Sequence, residues 1–415
     1  MPEAKDQGIF PTFFLSGFEC STFLWGENRI RRDLAQETDH YARADEDYRI
    51  LAQHGFGVAR EGIPWPMVDR GNGYDFSIIQ PFLDAQRKNK VVPIWDLCHY
   101  GYPDRLDPLS DEFPEAFAAY CAAAAQHVSG EYEGPCFFTP INEMTFFAFM
   151  AGEWGWSAPF LKGKENRYRL RYALARASIQ GVKAIRKILP ESRMVHVDPL
   201  ILVVPPKDRP DLADEAWHET YNDTFFCWDV LAGRIHPELG GSKEILDIVG
   251  VNNYSFGQME YRENGPHDAL DPDDSRIKPL GELLKIVWDR YRRPMIIAET
   301  SGMNEGRPSW LKDVMEESLT VVREGMELHG ICLFPGVDMP NWHTGRWLHN
   351  GFCDIVGPTK ARVVYEPYAE ELRRWQKLLN RVEVLDEDPL SDPVDLADVR
   401  RGAEIFKTQS DANWN

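Results

Sequence analysis

Long apolar runs are missing from this chain. No stretch approaches the ~18 consecutive apolar residues that a membrane span requires. Met1 to Gly8 contain no basic region leading into an apolar core, so no signal peptide is expected either. Cysteine is scarce: seven in 415 residues, an odd number, with no CxxC pair. That argues against a disulfide framework and against zinc, and it suits reduced thiols in a cytoplasm. Positive charge is also short. Lys and Arg number 46 against 66 Asp and Glu, a formal charge of −20. Such a surface would repel nucleic-acid phosphates and anionic membranes alike. No Gly-rich phosphate turn follows the first strand-like run, which removes the main argument for a doubly wound nucleotide fold. No internal repeat is present.

What the chain does have is alternation. Strand-like runs cover 13–17, 57–60, 91–96, 136–141, 194–198, 248–252, 295–298 and 330–334. Amphipathic stretches at 44–54, 77–89, 114–128, 168–189, 213–231, 280–291 and 310–328 separate them, and a last helix fits 367–379. Eight strands alternating with helices give an α/β fold, the (β/α)8 TIM barrel, as one domain over 10–380. The remainder, 381–415, is acidic and weakly periodic and is expected to be a short C-terminal extension, with room for a helix at 395–406. Aromatics reach 12%, with thirteen tryptophans, more than a core alone requires. Tryptophan faces stack well on sugar rings, although core packing accounts for most of them.

Two of the strand-like runs end on glutamate: Thr139-Pro140-Ile141-Asn142-Glu143 and Met295-Ile296-Ile297-Ala298-Glu299. Burying an unpaired carboxylate is costly, so a glutamate at a strand end is aimed at something. In parallel barrels the reactive groups stand at these C-terminal ends. The other ends supply Arg60, Cys98-His99-Tyr100, Asn252-Asn253-Tyr254 and Asp338-Met339-Pro340-Asn341-Trp342. A pair of carboxyl groups is what cleavage of a glycosidic bond needs: one protonates the leaving oxygen while the other meets the oxocarbenium-like charge. Arg60 is the expected partner of Glu299, with Tyr254 donating to the same group, and Asn142 is expected near the sugar 2-hydroxyl. Plainer readings stand beside these. His99 could be a satisfied core histidine, Trp342 could be packing at the barrel mouth, and polar residues often close strands simply because the strand has left the core.

With these residues the chain resembles glycoside hydrolase family 1, the retaining β-glucosidase family, over about 13–375. Asn142-Glu143 is similar to the acid/base motif Asn-Glu-Pro, and Glu299-Thr300-Ser301-Gly302 to the nucleophile motif. Arg60 to Pro66, His99 with Pro103, Gly152 to Pro159, and Gly250 to Tyr254 match further segments in the family's order. The resemblance implies a retaining hydrolase of β-glycosides working through a covalent intermediate. In it Glu143 is the acid/base and Glu299 the nucleophile, while Arg60, His99, Asn142, Tyr254, Asn341 and Trp342 bind a carbohydrate or glycoside. It implies no cofactor and no metal. It also implies a cis bond in the eighth strand, expected here at Phe334–Pro335. Departures fall on sugar recognition: Met144 replaces the motif proline, the glutamine after the first strand has no clear match, and a sugar-holding glutamate falls on Asn341. The serine and lysine of phospho-sugar members have no match, which argues against a 6-phosphate. A transglycosylase sharing the intermediate, or a silent carbohydrate- or partner-binding barrel, are the alternatives. Oligomeric state is left open.

Overall fold

The computed structural model describes residues 8–131 and 134–382. Eight parallel strands close a barrel: β1 (Phe14–Gly17), β2 (Val58–Gly62), β3 (Val92–Asp96), β4 (Phe137–Thr139), β5 (Arg193–Pro199), β6 (Ile248–Asn253), β7 (Met295–Thr300) and β8 (Leu328–Leu333), with β8 pairing back onto β1. All eight fall on the runs expected from the sequence. The strands are apolar on both faces because the barrel lumen covers one and helices the other. Leu15, Val58, Ile94, Phe137, Val195, Ile248, Ile296 and Cys332 fill the lumen, while the alternate residues pack outward.

The α-helices of five residues or more are α1 (His40–Gln53), α2 (Gln80–Asn89), α3 (Glu112–Val128), α4 (Met144–Ala148), α5 (Lys164–Ile188), α6 (Ala213–Thr220), α7 (Phe226–Leu231), α8 (Leu280–Tyr291), α9 (Arg307–Arg323) and α10 (Glu366–Val382) among the described residues. In α10 the residues Tyr368, Ala369, Leu372 and Trp375 form one buried stripe at helical spacing. The stretch expected as one helix over 213–231 is α6 and α7 joined by a π-helical segment, Tyr221–Phe225; a second π segment, Phe149–Glu153, follows α4. Such wide turns break helical register and are frequent at functional sites. The expected Phe334–Pro335 cis bond is present, and Ala158–Pro159 is cis as well. The extension expected over 381–415 lies, past Val382, outside the described residues, as does the helix expected at 395–406. Among the described residues no helix is long and apolar enough to cross a membrane.

One irregularity positions the site. Along β7, Ile296 and Ala298 face the lumen, so strict alternation would turn Glu299 outward. The register of β7 shifts between Ile297 and Glu299 against β6, and between Ile297 and Thr300 against β8. This bulge returns Glu299 to the lumen. Close approach matters at Gly17, where a Cβ would lie 2.9 Å from both the Arg60 Cβ and the Phe334 ring. The missing side chain there leaves room for the guanidinium.

Candidate active site

At the C-terminal mouth, six of the expected site residues converge. Arg60, buried and ending no strand by itself, reaches across the lumen. Its Nη1 donates to Glu299 Oε1 at 2.6 Å and to the Ala298 carbonyl at 3.1 Å; its Nη2 donates to Asp96 Oδ2 at 2.8 Å and to Asn142 Oδ1 at 2.7 Å. Tyr254 donates to Glu299 Oε2 at 2.8 Å. Burial works against charge on Asp96, but Arg60 and His99 override it and hold the carboxyl below its usual range.

Glu143 has a different environment. Beyond β4 the chain is held by neighbouring strands: Asn142 N–H donates to the Cys98 carbonyl at 3.0 Å and Glu143 N–H to the Val197 carbonyl at 2.9 Å. Among the described residues no cation is hydrogen-bonded to the Glu143 carboxyl. Tyr100 OH donates to its Oε2, and Asn252 Nδ2 to its Oε1 at 2.8 Å. Burial, then the like charge of Glu299, push this carboxyl up to about 7. Two glutamates in one cleft are thus set apart, Glu299 by the bonds it accepts from Arg60 and Tyr254, Glu143 by a pKa raised into the neutral range.

His99 lies within the same network. Its Nδ1 is 3.4 Å from Asp96 Oδ2 and 3.3 Å from Cys20 Sγ; its Nε2 is 3.2 Å from Asn142 Nδ2 and 3.7 Å from Glu19 Oε1. Burial opposes its charge, yet Cys20, Glu19 and Asp96 hold its pKa well above the ordinary value. Glu19 accepts from the Ser21 hydroxyl and from Ser21 N–H, and burial raises its carboxyl. The remaining two expected residues stand apart from this core. Asn341 Oδ1 accepts from His343 N, Thr344 N and Thr344 Oγ1 at 2.9, 2.9 and 3.1 Å, so it is engaged by its own turn. Trp342 packs edge-on against Phe23 and Tyr100, with ring centres 5.0 and 5.6 Å away, and so backs the tyrosine that touches Glu143.

Sequence reasoning gave no role to Asp96, Tyr100, Asn252, Glu19 or Cys20. Asp96 ends a strand-like run on a carboxylate, the same signal that singled out the two glutamates. Glu19 carried no such mark, because it follows β1 in an irregular segment.

Two groups among the described residues have the composition of metal ligands, Cys20/Asp96/His99 and Asp338/His349/Asp354. In the first, Arg60 already neutralises Asp96. In the second, Asp338 accepts from His349 Nδ1 at 2.8 Å and from backbone N–H groups, and Asp354 pairs with Arg307 at 2.8 Å. Their charges are met without an ion.

No family model matches the chain. A phospho-cellobiase of Klebsiella oxytoca is 23% identical over 359 residues, covering 72% of this chain and 76% of its own. Aryl-phospho-β-D-glucosidase BglC of Bacillus subtilis (strain 168) is 22% identical over 394 residues, 76% and 81% of the two chains. β-Glucosidase A of Thermotoga maritima is 21% identical over 377 residues, 79% and 84%. The solved family 1 β-glucosidase from Thermotoga maritima matches the fold with a TM-score of 0.72 at 17% identity, covering 88% of this chain and 98% of that one. The homologues of this chain are β-glucosidases and phospho-β-glucosidases of the family 1 type. Within that likeness one departure has a simple physical account. Met144 occupies the first position of α4, where an N–H has no intrahelical partner, so a proline there is convenient rather than required.

Proposed function

We propose that this protein is a retaining hydrolase of β-glycosides in which Glu299 is the nucleophile and Glu143 the acid/base. The observation that carries the reading is the contrast between the two carboxyl environments: Glu299 gripped by Arg60 and Tyr254, Glu143 raised to about 7 with Tyr100 and Asn252 as its hydrogen-bond donors. In the first step Glu143 gives its proton to the glycosidic oxygen while Glu299 attacks the anomeric carbon from the opposite face. Ester formation removes the charge on Glu299, and with it one of the causes that raise the Glu143 pKa. Glu143 then ionises more readily, supported by Tyr100 and Asn252, and takes a proton from the incoming water. Arg60, His99, Asn142 and Tyr254 form the floor on which the sugar lies. Trp342, and Asn341 through the turn it stabilises, shape the wall.

The substrate class is a neutral glycoside rather than a 6-phospho sugar, although several relatives carry phospho-glucosidase names. Among the described residues the cations of the site are already matched, Arg60 by Glu299 and Asp96, His99 by Glu19 and Asp96. Arg32, beside Trp342, is committed to Glu37 and to the Trp342 carbonyl. Seven free cysteines fit a reducing, cytoplasmic setting.

Incubation with a panel of activated 2-fluoro-β-glycosides, followed by mass spectrometry of the intact and digested protein, tests the reading. One sugar added covalently to Glu299 is the expected result. A protein that remains unlabelled by every sugar would overturn it and leave a binding barrel. Products formed with added acceptor sugars then separate hydrolysis from transfer.

A further inference from the structure

The end of β5 holds a carboxyl that the reaction does not use. Asp198 is fully buried, one residue past Val197, whose carbonyl accepts the Glu143 N–H at 2.9 Å. Asp198 Oδ1 lies 2.9 Å from Thr145 N and 2.9 Å from Thr145 Oγ1. Two residues after Glu143, Thr145 belongs to the first turn of α4, so β5 grips this turn at two successive points. Glu143 is the N-cap residue of α4, yet its side chain makes no capping bond and its backbone is left-handed, at φ 45° and ψ 60°. A non-glycine residue keeps that conformation only where its surroundings over-determine it. Asp198 supplies the cap that Glu143 cannot, and leaves the Glu143 carboxyl free for the cleft.

Proton counting then bears on the charge of Asp198. Thr145 Oγ1 is also 2.7 Å from the backbone carbonyl oxygen of Asp223. The Thr145 hydroxyl thus has one proton and two oxygens within reach, and the shorter contact is to the carbonyl, which can only accept. A proton on Asp198 Oδ1 would let both contacts of Oγ1 be hydrogen bonds at once. The other oxygen, Oδ2, is buried with no hydrogen-bond partner. A neutral acid tolerates that far better than a carboxylate does. The charged groups facing Asp198 are Glu143 beyond β4 and Asp223 in the π segment; Arg167 and Arg171 of α5 lie on Asp223, and the Cys227 thiol of α7 is also adjacent. Burial, and then those two acids, raise the Asp198 carboxyl well above its usual range.

We propose that Asp198 is a positioning residue that keeps its proton: as a neutral acid it donates to Thr145 Oγ1, accepts from Thr145 N–H, and pins the turn bearing Glu143 without adding charge behind it. The kinetic half of this proposal rests on Glu143 being the acid/base; the protonation of Asp198 does not. A second fixed negative charge here would hold the proton on Glu143 too tightly for it to become a base.

Infrared difference spectra of the full chain at neutral pH test the proton directly, because protonated carboxyls absorb apart from ionised ones. A protonated-carboxyl band is expected to vanish in Asp198→Asn, to shift in Thr145→Val, which removes its acceptor, and to persist in Glu143→Gln. An Asp198→Asn spectrum that loses no such band overturns the proposal whatever the protein hydrolyses. Should Asp198→Asn fail to fold, an unmoved band in Thr145→Val overturns it equally. In kinetics, Asn is neutral like the protonated acid. The upper limb of kcat/KM against pH should therefore stay within about half a unit of the parent, while kcat falls about tenfold from lost positioning. A downward move of about one unit or more would mean that Asp198 had carried charge, and would overturn the proposal. If no glycoside is turned over at all, the glycosidase reading fails while the infrared result still decides Asp198.

Discussion

Neighbouring residues of β2, Arg60 and Glu61, open onto two buried ionic networks built from the same residue types on opposite faces of one strand. On the outer face Glu61 Oε2 accepts from His40 Nε2 at 2.8 Å and from Tyr48 OH at 2.9 Å, and Oε1 from Gly62 N–H at 2.9 Å. Asp47 takes His40 Nδ1 at 2.7 Å and both Arg362 Nε and Nη2, at 2.7 and 3.0 Å. The His40 ring is stacked between Phe18 and Phe82. Two cations meet two carboxylates, and no side-chain polar atom of His40, Asp47, Glu61 or Arg362 is left buried without a partner. On the inner face, by contrast, Arg60 Nε, Asp96 Oδ1 and Asn252 Oδ1 are buried and unpartnered. A closed network holds helix α1 and the 361–364 hairpin strand to the barrel. An open one leaves buried polar atoms unpartnered beneath the two glutamates, a cost that only the surrounding scaffold can sustain.

Breaking the inner network should cost activity and spare the fold; breaking the outer one should do the reverse. The largest effect is expected for Glu299→Gln, which should lower kcat by roughly 10^4-fold or more with an unchanged melting profile; turnover near the parent rate would remove Glu299 from the mechanism. Glu143→Gln should cost about 10^2- to 10^4-fold on substrates with poor leaving groups and far less on activated aryl glycosides. The parent should show a fall of kcat/KM with rising pH through about 7 as Glu143 deprotonates, and the variant should lack it. A limb that persists in the variant would assign it to another group.

Arg362→Met leaves Asp47 short of a buried partner and should destabilise the fold by about 3–5 kcal/mol in urea unfolding, with kcat per folded molecule within about twofold. A large kcat change would mean that the two faces are coupled. The smallest effect concerns pH. Burial opposes the charge on His40, but Glu61 and Asp47 raise its pKa to about 9, above the unfolded value of about 6.5. A raised folded pKa gives stability that is complete below the unfolded value and disappears as pH climbs through the folded one. Between pH 7 and 9.5 the protein should therefore lose on the order of 2 kcal/mol. His40→Gln should flatten that loss, and an equally steep fall in the variant would exclude His40 as its source.

Much of this was legible along the chain. Eight apolar runs, the helices between them and the glutamates at two strand ends follow from local pattern, because burial on both faces of a parallel strand leaves a hydrophobic run and a strand end releases it. Arg60 with Glu299 and Tyr254 was legible for the same reason. Other features were not. The helix expected over 213–231 contains a π segment because Thr224 and Thr220 bond to the backbone around Ile201 and Val203, partners that are remote in sequence. Tyr100 reads as one more aromatic until its hydroxyl is seen on Glu143. Asn341 gives no hint in the sequence that its oxygen is engaged by its own turn.

By itself the sequence determined the kind of barrel and which side chains were offered at its mouth, since periodicity and strand-end polarity are properties of neighbouring residues. Only the tertiary structure decided which way they point. Glu299 faces the lumen through a bulge that alternation alone would contradict. The different environments of the two glutamates come from partners contributed by other strands, Arg60 and Tyr254 for one, Tyr100 and Asn252 for the other. Charge depends on what surrounds a group in space, and that is set by closure of the barrel.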